Sequence, residues 1–383
     1  MQVTIDSIAA TSHIRMGNNN RVYRTISGVL YFIYIRSDDD VYWIKSTNNG
    51  ISWTVPVSVF VGTVIKIATW FDGTTIHMAY TENIGHDVLY RALNTYTDTL
   101  GTETTIYNGI SAVSGASSEL SITKTVGGNL QCHGDIDGGT ETFSAKSIDS
   151  GATWNSIANV NEVASTDYYI ALPGNAADTN DSVILFWDNS ANEITIKEYD
   201  DSLDSYTETS IATSMVENPV NNSAPQFNAT IRDTDNYILF VAWSDRDLLN
   251  ADLRCWEING SGSITEKTNV VLNSVDDQQG CAIGVNTDND NVIVLYQGKS
   301  DGSETVTASL NLYYKMSADG MVTWGNETLL SSYIGSLRWL SVTPLFSNNQ
   351  FYAVQMTANP STAFARVEGY FNPPSVNLLR GKL

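Results

Sequence analysis

The sequence predicts an all-β chain, a single β-propeller of four-stranded antiparallel blades, with seven blades as the main count and six as the alternative. Three observations predict it. The composition favours strands and tight turns. Hairpin signals recur about every fifty residues along the chain. One short turn motif is repeated in three places.

Thr, Val, Ile, Ser, Asn, Asp and Gly dominate the 383 residues, and Lys and Glu are sparse. That balance suits pleated strands joined by turns. Hydrophobic residues make up 42%, enough for a sizeable core, and only 16% are charged, which argues against a disordered acidic chain. The net charge of −22 repels phosphate backbones and anionic lipid, so nucleic acid and membrane surfaces are poor partners. No stretch has the length of a transmembrane helix. The start, Met1 to Asp6, lacks the basic and apolar regions of a secretory signal. The expectation is a chain that works without conventional secretion, or one whose signal was removed. Cys132, Cys255 and Cys281 each lie in strand-like apolar segments, without disulfide or metal spacing, and read as small core residues.

The hairpin signals come in order. Ser27-Gly28 precedes Val29 to Phe32, and Asp72-Gly73 precedes Ile76 to Met78. Gly127 to Asn129 precedes Leu130, and residues 178 to 181 precede Val183 to Phe186. Residues 233 to 236 precede Tyr237 to Phe240, 288 to 291 precede Val292 to Leu295, and 347 to 349 precede Phe351 to Val354. Gly, Asn and Asp are the residues tight hairpins require. The last repeat supplies three strands, in Leu337–Pro344, Phe351–Met356 and Ala363–Tyr370. A fourth is expected from the N-terminal residues 1–10, which would close the ring and remove its open edges. The propeller then spans residues 1–371. Residues 372–383 read as a tail, because Pro373 and Pro374 cannot pair in a ladder and Arg380 and Lys382 are basic.

The repeated motif reads Ser147-Ile148-Asp149-Ser150-Gly151-Ala152-Thr153-Trp154. A second copy has Ser46, Asn48, Gly50, Ser52 and Trp53 in register. A third has Ser317, Asp319, Thr323 and Trp324, with its glycine, Gly320, one place early. Each follows an alternating strand, and each pairs turn-forming side chains with an aromatic residue that returns to the core. The pattern resembles the Asp-box, or bacterial neuraminidase repeat, of sialidase-like propellers. The resemblance implies that these boxes are structural and lie on the face opposite the ligand. Sialidases have six blades, so a seventh departs from that family.

Central strands tend to end on large side chains: Tyr34, Tyr80, His133, Trp187, Trp243 and Tyr296, with Gln355 or Met356 in the seventh place. With the loops that follow, they would surround a central funnel on the face away from the boxes. Tyr34, Arg36, Tyr80, Trp187, Asp188, Trp243, Asp245, Arg246 and Tyr296 are therefore the candidate glycan face. Aromatic rings stack on sugar C–H faces, while Asp and Arg bind hydroxyls. No catalytic residue is assigned. The resemblance implies three arginines, a Tyr–Glu pair, an Asp and an Arg-Ile-Pro motif. Here Arg21-Val22-Tyr23-Arg24-Thr25-Ile26 is the nearest stretch and lacks the proline, and no glutamate stands out as a tyrosine partner. Asp38 to Asp40, Asp276-Asp277 and Asp288 to Asp290 offer oxygen ligands for calcium, but none matches a twelve-residue calcium loop, so no cofactor is expected. His13, His77, His86 and His133 have no metal or triad spacing.

The function expected from this is a non-enzymatic propeller that displays a binding surface. A virion protein, such as a phage head decoration or tail adhesin touching host glycans, fits a leaderless polar body. Its partners would be other virion or surface subunits, held through residues 372–383. The alternatives are a secreted sialidase-like hydrolase or lyase, and a soluble lectin.

Overall fold

A computed structural model describes residues 2–6, 21–36, 38–82, 87–108, 120–136, 141–158, 160, 168–174, 179–188, 191–215, 227–244, 251–274, 278–298, 311–332, 336–348, 350–359 and 362–371. Every named element is a strand. Among the described residues the strands form seven sheets of four or five strands. Neighbouring strands in a sheet are antiparallel, apart from one short parallel pairing of Leu345–Phe346 with Gln278–Asn286. This is a propeller of antiparallel blades, as the sequence predicts.

The inner strands, in chain order, are Val22–Arg24, Val64–Phe71, Leu120–Lys124, Tyr168–Pro173, Phe227–Arg232, Gln278–Asn286 and Ser336–Val342. They open blades 1 to 7. Contacts run around the circle: the second inner strand meets the third, the third the fourth, and so on to the seventh. Blade 1 joins blade 2 through the Tyr23–Thr69 hydroxyl pair at 2.8 Å. It joins blade 7 through Arg21 N donating to Ser341 Oγ at 3.0 Å.

Blade 7 takes strands from both ends of the chain. Gln2–Asp6 pairs with Thr362–Phe371, and that strand with Gln350–Asn359. The order is the one the alternating apolar residues predict. Without the N-terminal strand, Thr362–Phe371 would be an open ladder edge.

The core lies between blades. One cluster joins Leu185, Trp187 and Ile196 of blade 4 to Phe227, Phe240 and Trp256 of blade 5. Another joins Tyr31, Ile33 and Trp43 of blade 1 to Ile67, Met78 and Tyr80 of blade 2. The second strand of each blade is apolar on both faces because a neighbouring blade covers each face. Cys132, Cys255 and Cys281 are buried free thiols in these layers, as expected.

The three box segments adopt one turn. Ser147 Oγ donates to Asp149 Oδ1 at 2.8 Å and accepts the Gly151 N–H at 2.8 Å. Asp149 also accepts the Thr153 N–H and hydroxyl. Ser46, Asn48, Gly50 and Ser52 repeat the pattern, as do Ser317, Asp319, Met321 and Thr323. Two consecutive left-handed residues make the bend: Asn49-Gly50, Ser150-Gly151 and Gly320-Met321. The early glycine of the third copy thus fills the first left-handed place, and Met321 takes the second at φ 67°.

Each box clasps the preceding blade. Tyr352 of blade 7 donates to Asn49 Oδ1 at 3.0 Å. Trp154 packs edge-on against Tyr90 of blade 2, and Trp324 Nε1 donates to Thr268 O of blade 5. Lysines before two boxes reach the following blade, Lys45 to Asp98 and Lys146 to Asp201.

Two substitutions test this clasp by urea unfolding. At Gly151 (φ 90°) a Cβ would lie 2.0 Å from the Tyr90 ring. Gly151→Ala is expected to destabilise by about 2–4 kcal/mol, from left-handed strain plus overpacking. Met321→Gly removes roughly 1–2 kcal/mol of such strain. It also empties a fully buried site, a loss of about 2–5 kcal/mol. Burial wins, so a net loss of stability is expected; a gain would contradict this account of the third box.

Candidate functional site: the turn-face funnel

The inner strands run toward the hairpin turns. Their C-terminal ends converge on a central cavity of about 990 Å³. Its wall takes Arg24 and Thr25 from blade 1, Phe71 to Thr74 from blade 2, and Lys124 to Val126 from blade 3. Pro173 and Gly174 come from blade 4, Asp233 and Asn236 from blade 5, Thr287 and Asp288 from blade 6, and Ser347 and Asn348 from the 6–7 junction. The cavity is therefore built from hairpin turns, on the same side as the boxes. The sequence reading placed the ligand on the other side, whose loops, including Asp245 and Arg246, lie largely outside the described residues.

The inner wall is apolar. Trp70 is partly exposed, lines the cavity, and packs against both the Ile170–Leu172–Ala229 layer and the Ala68–Ile122 layer. A side chain on blade 2 thus reaches the core of blades 4 and 5 across the ring. Ile170, Leu172, Ala229 and Ile231 complete the wall around it.

The rim is polar, and its turns are bonded to one another. Gly127 N donates to Thr179 O, Thr287 N to Phe346 O at 2.7 Å, and Asn348 N to Asp288 Oδ2. Arg24 Nη1 donates to Ser347 Oγ at 2.6 Å. Asp72 organises the opposite side. It accepts the Thr74 and Thr75 N–H groups at 2.9 and 2.7 Å, and the Lys124 ammonium at 2.5 Å. His77 Nε2 lies 3.1 Å away. A carboxylate only accepts, so Nε2 carries the proton and Nδ1 accepts from Tyr90 OH at 2.8 Å. Desolvation would raise the Asp72 pKa, but the His77, Lys124 and backbone hydrogen bonds outweigh it and hold the carboxyl well below its usual range. Desolvation lowers the His77 pKa despite its carboxylate neighbour.

Asp233 differs from the other rim charges. Among the described residues it has no hydrogen-bond or ion-pair partner, while its neighbour Asp235 holds Arg232. Desolvation raises its pKa, and the charge of Asp290 adds to the effect.

The candidate glycan aromatics turn out to be core. Tyr34, Tyr80, Trp187 and Trp243 have no exposed surface and Tyr296 only 3%. Trp187 Nε1 donates to Met215 O at 3.0 Å, and Trp243 packs edge-on against Tyr296. The correction has a physical cause: the ends of second strands lie between blades, where a neighbour covers them. Arg36 rests 4.8 Å over the Tyr42 ring, and Asp188 accepts the Ala191 N–H. Two Tyr–Glu hydrogen bonds that the sequence did not reveal are present, Tyr80 with Glu103 and Tyr296 with Glu327. Neither pair lines the cavity. Burial raises both phenol pKa values, with the glutamates adding, which suits donors rather than nucleophiles.

The described arginines are held apart by separate partners: Arg21 by Ile67 O of blade 2, Arg91 by Val59 O of blade 1, Arg232 by Asp235 and Glu257, Arg254 by Glu266. Arg24 is the one that lines the cavity. Of the calcium candidates, Asp38 and Asp40 accept turn hydrogen bonds and Asp276-Asp277 lie outside the described residues. Among the described residues no three His, Cys, Asp or Glu side chains form a group able to hold a metal. Trp70 was missed because the sequence argument followed second-strand ends. The signal was present in Trp70-Phe71-Asp72, two aromatics at an inner-strand end just before a turn.

No protein-family model matches the chain, and no curated protein does. Solved structures do. An ulvan lyase, a polysaccharide lyase solved with -[GlcA(1-4)Rha3S]- bound, aligns over 97% of this chain and 96% of its own, at 10% identity and TM-score 0.58. A Hadza microbial sialidase aligns over 96% of this chain and 68% of its own, at 14% identity and TM-score 0.50. A Trypanosoma rangeli sialidase solved with the inhibitor DANA aligns over 76% of this chain and 54% of its own, at 12% identity and TM-score 0.50. These likenesses establish the fold.

His133 is fully buried in the layer between blades 3 and 4, with Nδ1 3.0 Å from Ser144 Oγ. Desolvation lowers its pKa to about 3. The folded state therefore resists protonation, while the unfolded chain takes up the proton near 6.5. This residue should remove about 1.4 kcal/mol of stability per pH unit as pH falls from 6.5 toward 3. Urea unfolding at pH 7 and pH 4 is expected to show a smaller acid loss for His133→Gln than for the unsubstituted chain. Equal losses would contradict the assignment.

Proposed function

We propose that this chain is a non-enzymatic carbohydrate-binding propeller and that the turn-face funnel is its binding site. The observation that carries the reading is Trp70, a partly exposed indole set in an apolar wall beneath a ring of polar turns. An aromatic platform suits the C–H face of a sugar, and convergent Asp, Asn, Thr, Lys and backbone groups suit its hydroxyls. The rim is bonded from turn to turn, so little ordering opposes binding. The fold is shared with structures named as a polysaccharide lyase and sialidases, which supports a carbohydrate role.

Within the same proposal, the propeller is displayed on a virion or other surface, and residues 372–383 hold a neighbouring subunit. Supporting this are Arg380 and Lys382 on a chain of net charge −22. The loop face, with Arg36, Asp188, Asp245 and Arg246, is a second candidate contact surface. A lyase reading is favoured by the near full-length likeness to the ulvan lyase.

A glycan array followed by calorimetry tests the main reading. Trp70→Ala is expected to weaken saccharide binding roughly 30-fold or more, as removal of a central aromatic anchor does. Turnover of a uronate polymer to unsaturated product would favour the lyase instead. Deleting residues 375–383 is expected to abolish subunit assembly; unchanged assembly would remove the docking role.

A further inference from the structure

The charges of the funnel are unequally committed. Lys124 is tied to Asp72 at 2.5 Å, and Arg24 to Ser347 at 2.6 Å. Asp72 itself accepts from two backbone N–H groups, a threonine hydroxyl and Lys124, with His77 beside it. Asp288 accepts the Asn348 N–H. Asp290, outside the lining, accepts the Thr234 hydroxyl at 3.1 Å. Asp233 is left as a lining carboxylate with no partner among the described residues. A ligand that enters therefore meets in Asp233 a lining carboxylate without a protein partner among the described residues, while the lining Lys124 and Arg24 already have theirs.

Resting on the reading of the funnel as a saccharide site, we propose that its ligand is an amine-bearing sugar, with the Trp70 indole under the ring and the Asp233 carboxylate pairing with the ammonium group. Asp233 is exposed on the rim, where an incoming ammonium reaches it without rearrangement, and an ion pair there adds a modest, salt-sensitive increment to the stacking contact. An acidic sugar would meet the opposite situation. It would have to displace Asp72 from Lys124 or Ser347 from Arg24 before finding a counter-charge, on a chain of net charge −22. Neutral sugars keep the stacking contact and lose the ion pair. The order expected is amine-bearing, then neutral, then acidic.

The test measures binding of three oligosaccharide sets by calorimetry: glucosamine oligomers, N-acetylglucosamine oligomers and galacturonate oligomers. The full chain, Asp233→Asn and Trp70→Ala are compared, with circular dichroism confirming the fold of each. Glucosamine oligomers are expected to bind about two- to fivefold tighter than the acetylated ones. Asp233→Asn should bring the two to parity by weakening glucosamine binding, while Trp70→Ala weakens both. A preference for amines that survives in Asp233→Asn would overturn the assignment to Asp233. So would galacturonate binding tighter than glucosamine, and in both cases sensitivity to Trp70→Ala would keep the funnel as the site. If no oligosaccharide binds, or if Trp70→Ala changes nothing, the funnel reading fails and this inference fails with it.

Discussion

The ladder between Gln2–Asp6 and Thr362–Phe371 holds the two ends of the chain in one sheet. It completes blade 7, which meets blade 6 on one side and blade 1 on the other and so closes the circle. Blade 7 touches blade 1 through Arg21 with Ser341, Arg24 with Ser347 and Tyr352 with Asn49. Two of those contacts sit at or near the funnel. An opened seam would release Arg24 and the Ser347–Asn348 turn together, and the cavity would lose one side of its wall.

Each blade alone buries too little. The second strands are apolar on both faces, so a blade needs a neighbour on each side before it is stable. The box turns reinforce that dependence from the rim. Their Ser and Asp side chains fix a left-handed bend, and the bend carries Asn49, Trp154 or Trp324 onto the blade before. The energetic logic of a box therefore lies between blades as much as within its own turn. The funnel results from the same arrangement: seven inner strands end at one level, and their turns bond sideways.

The fold was legible because two periods agreed. Hairpin signals recur at about fifty residues, and the apolar residues within each repeat mark its strands. The closure was legible too, since the last repeat lacked a strand and the N-terminus offered one. The binding face was not. Tyr34, Tyr80, Trp187, Trp243 and Tyr296 fall in register, but register along a strand does not say whether a neighbouring blade covers the end. Trp70 carries the opposite lesson. Its strand looks like any other apolar segment, and only the ring brings it across to Ile170 and Ala229. Asp233 looked like a turn residue, and it is one; its open valence comes from what its neighbours have already bonded.

Equilibrium urea unfolding of the full chain and of a variant lacking residues 1–6 tests ring closure most directly. The account predicts one cooperative transition for the full chain. For the variant it predicts a clearly lower midpoint, together with early loss of the Trp70 environment. An unchanged midpoint and an unchanged Trp70 signal would show that the ring holds without its seam, and would contradict the account.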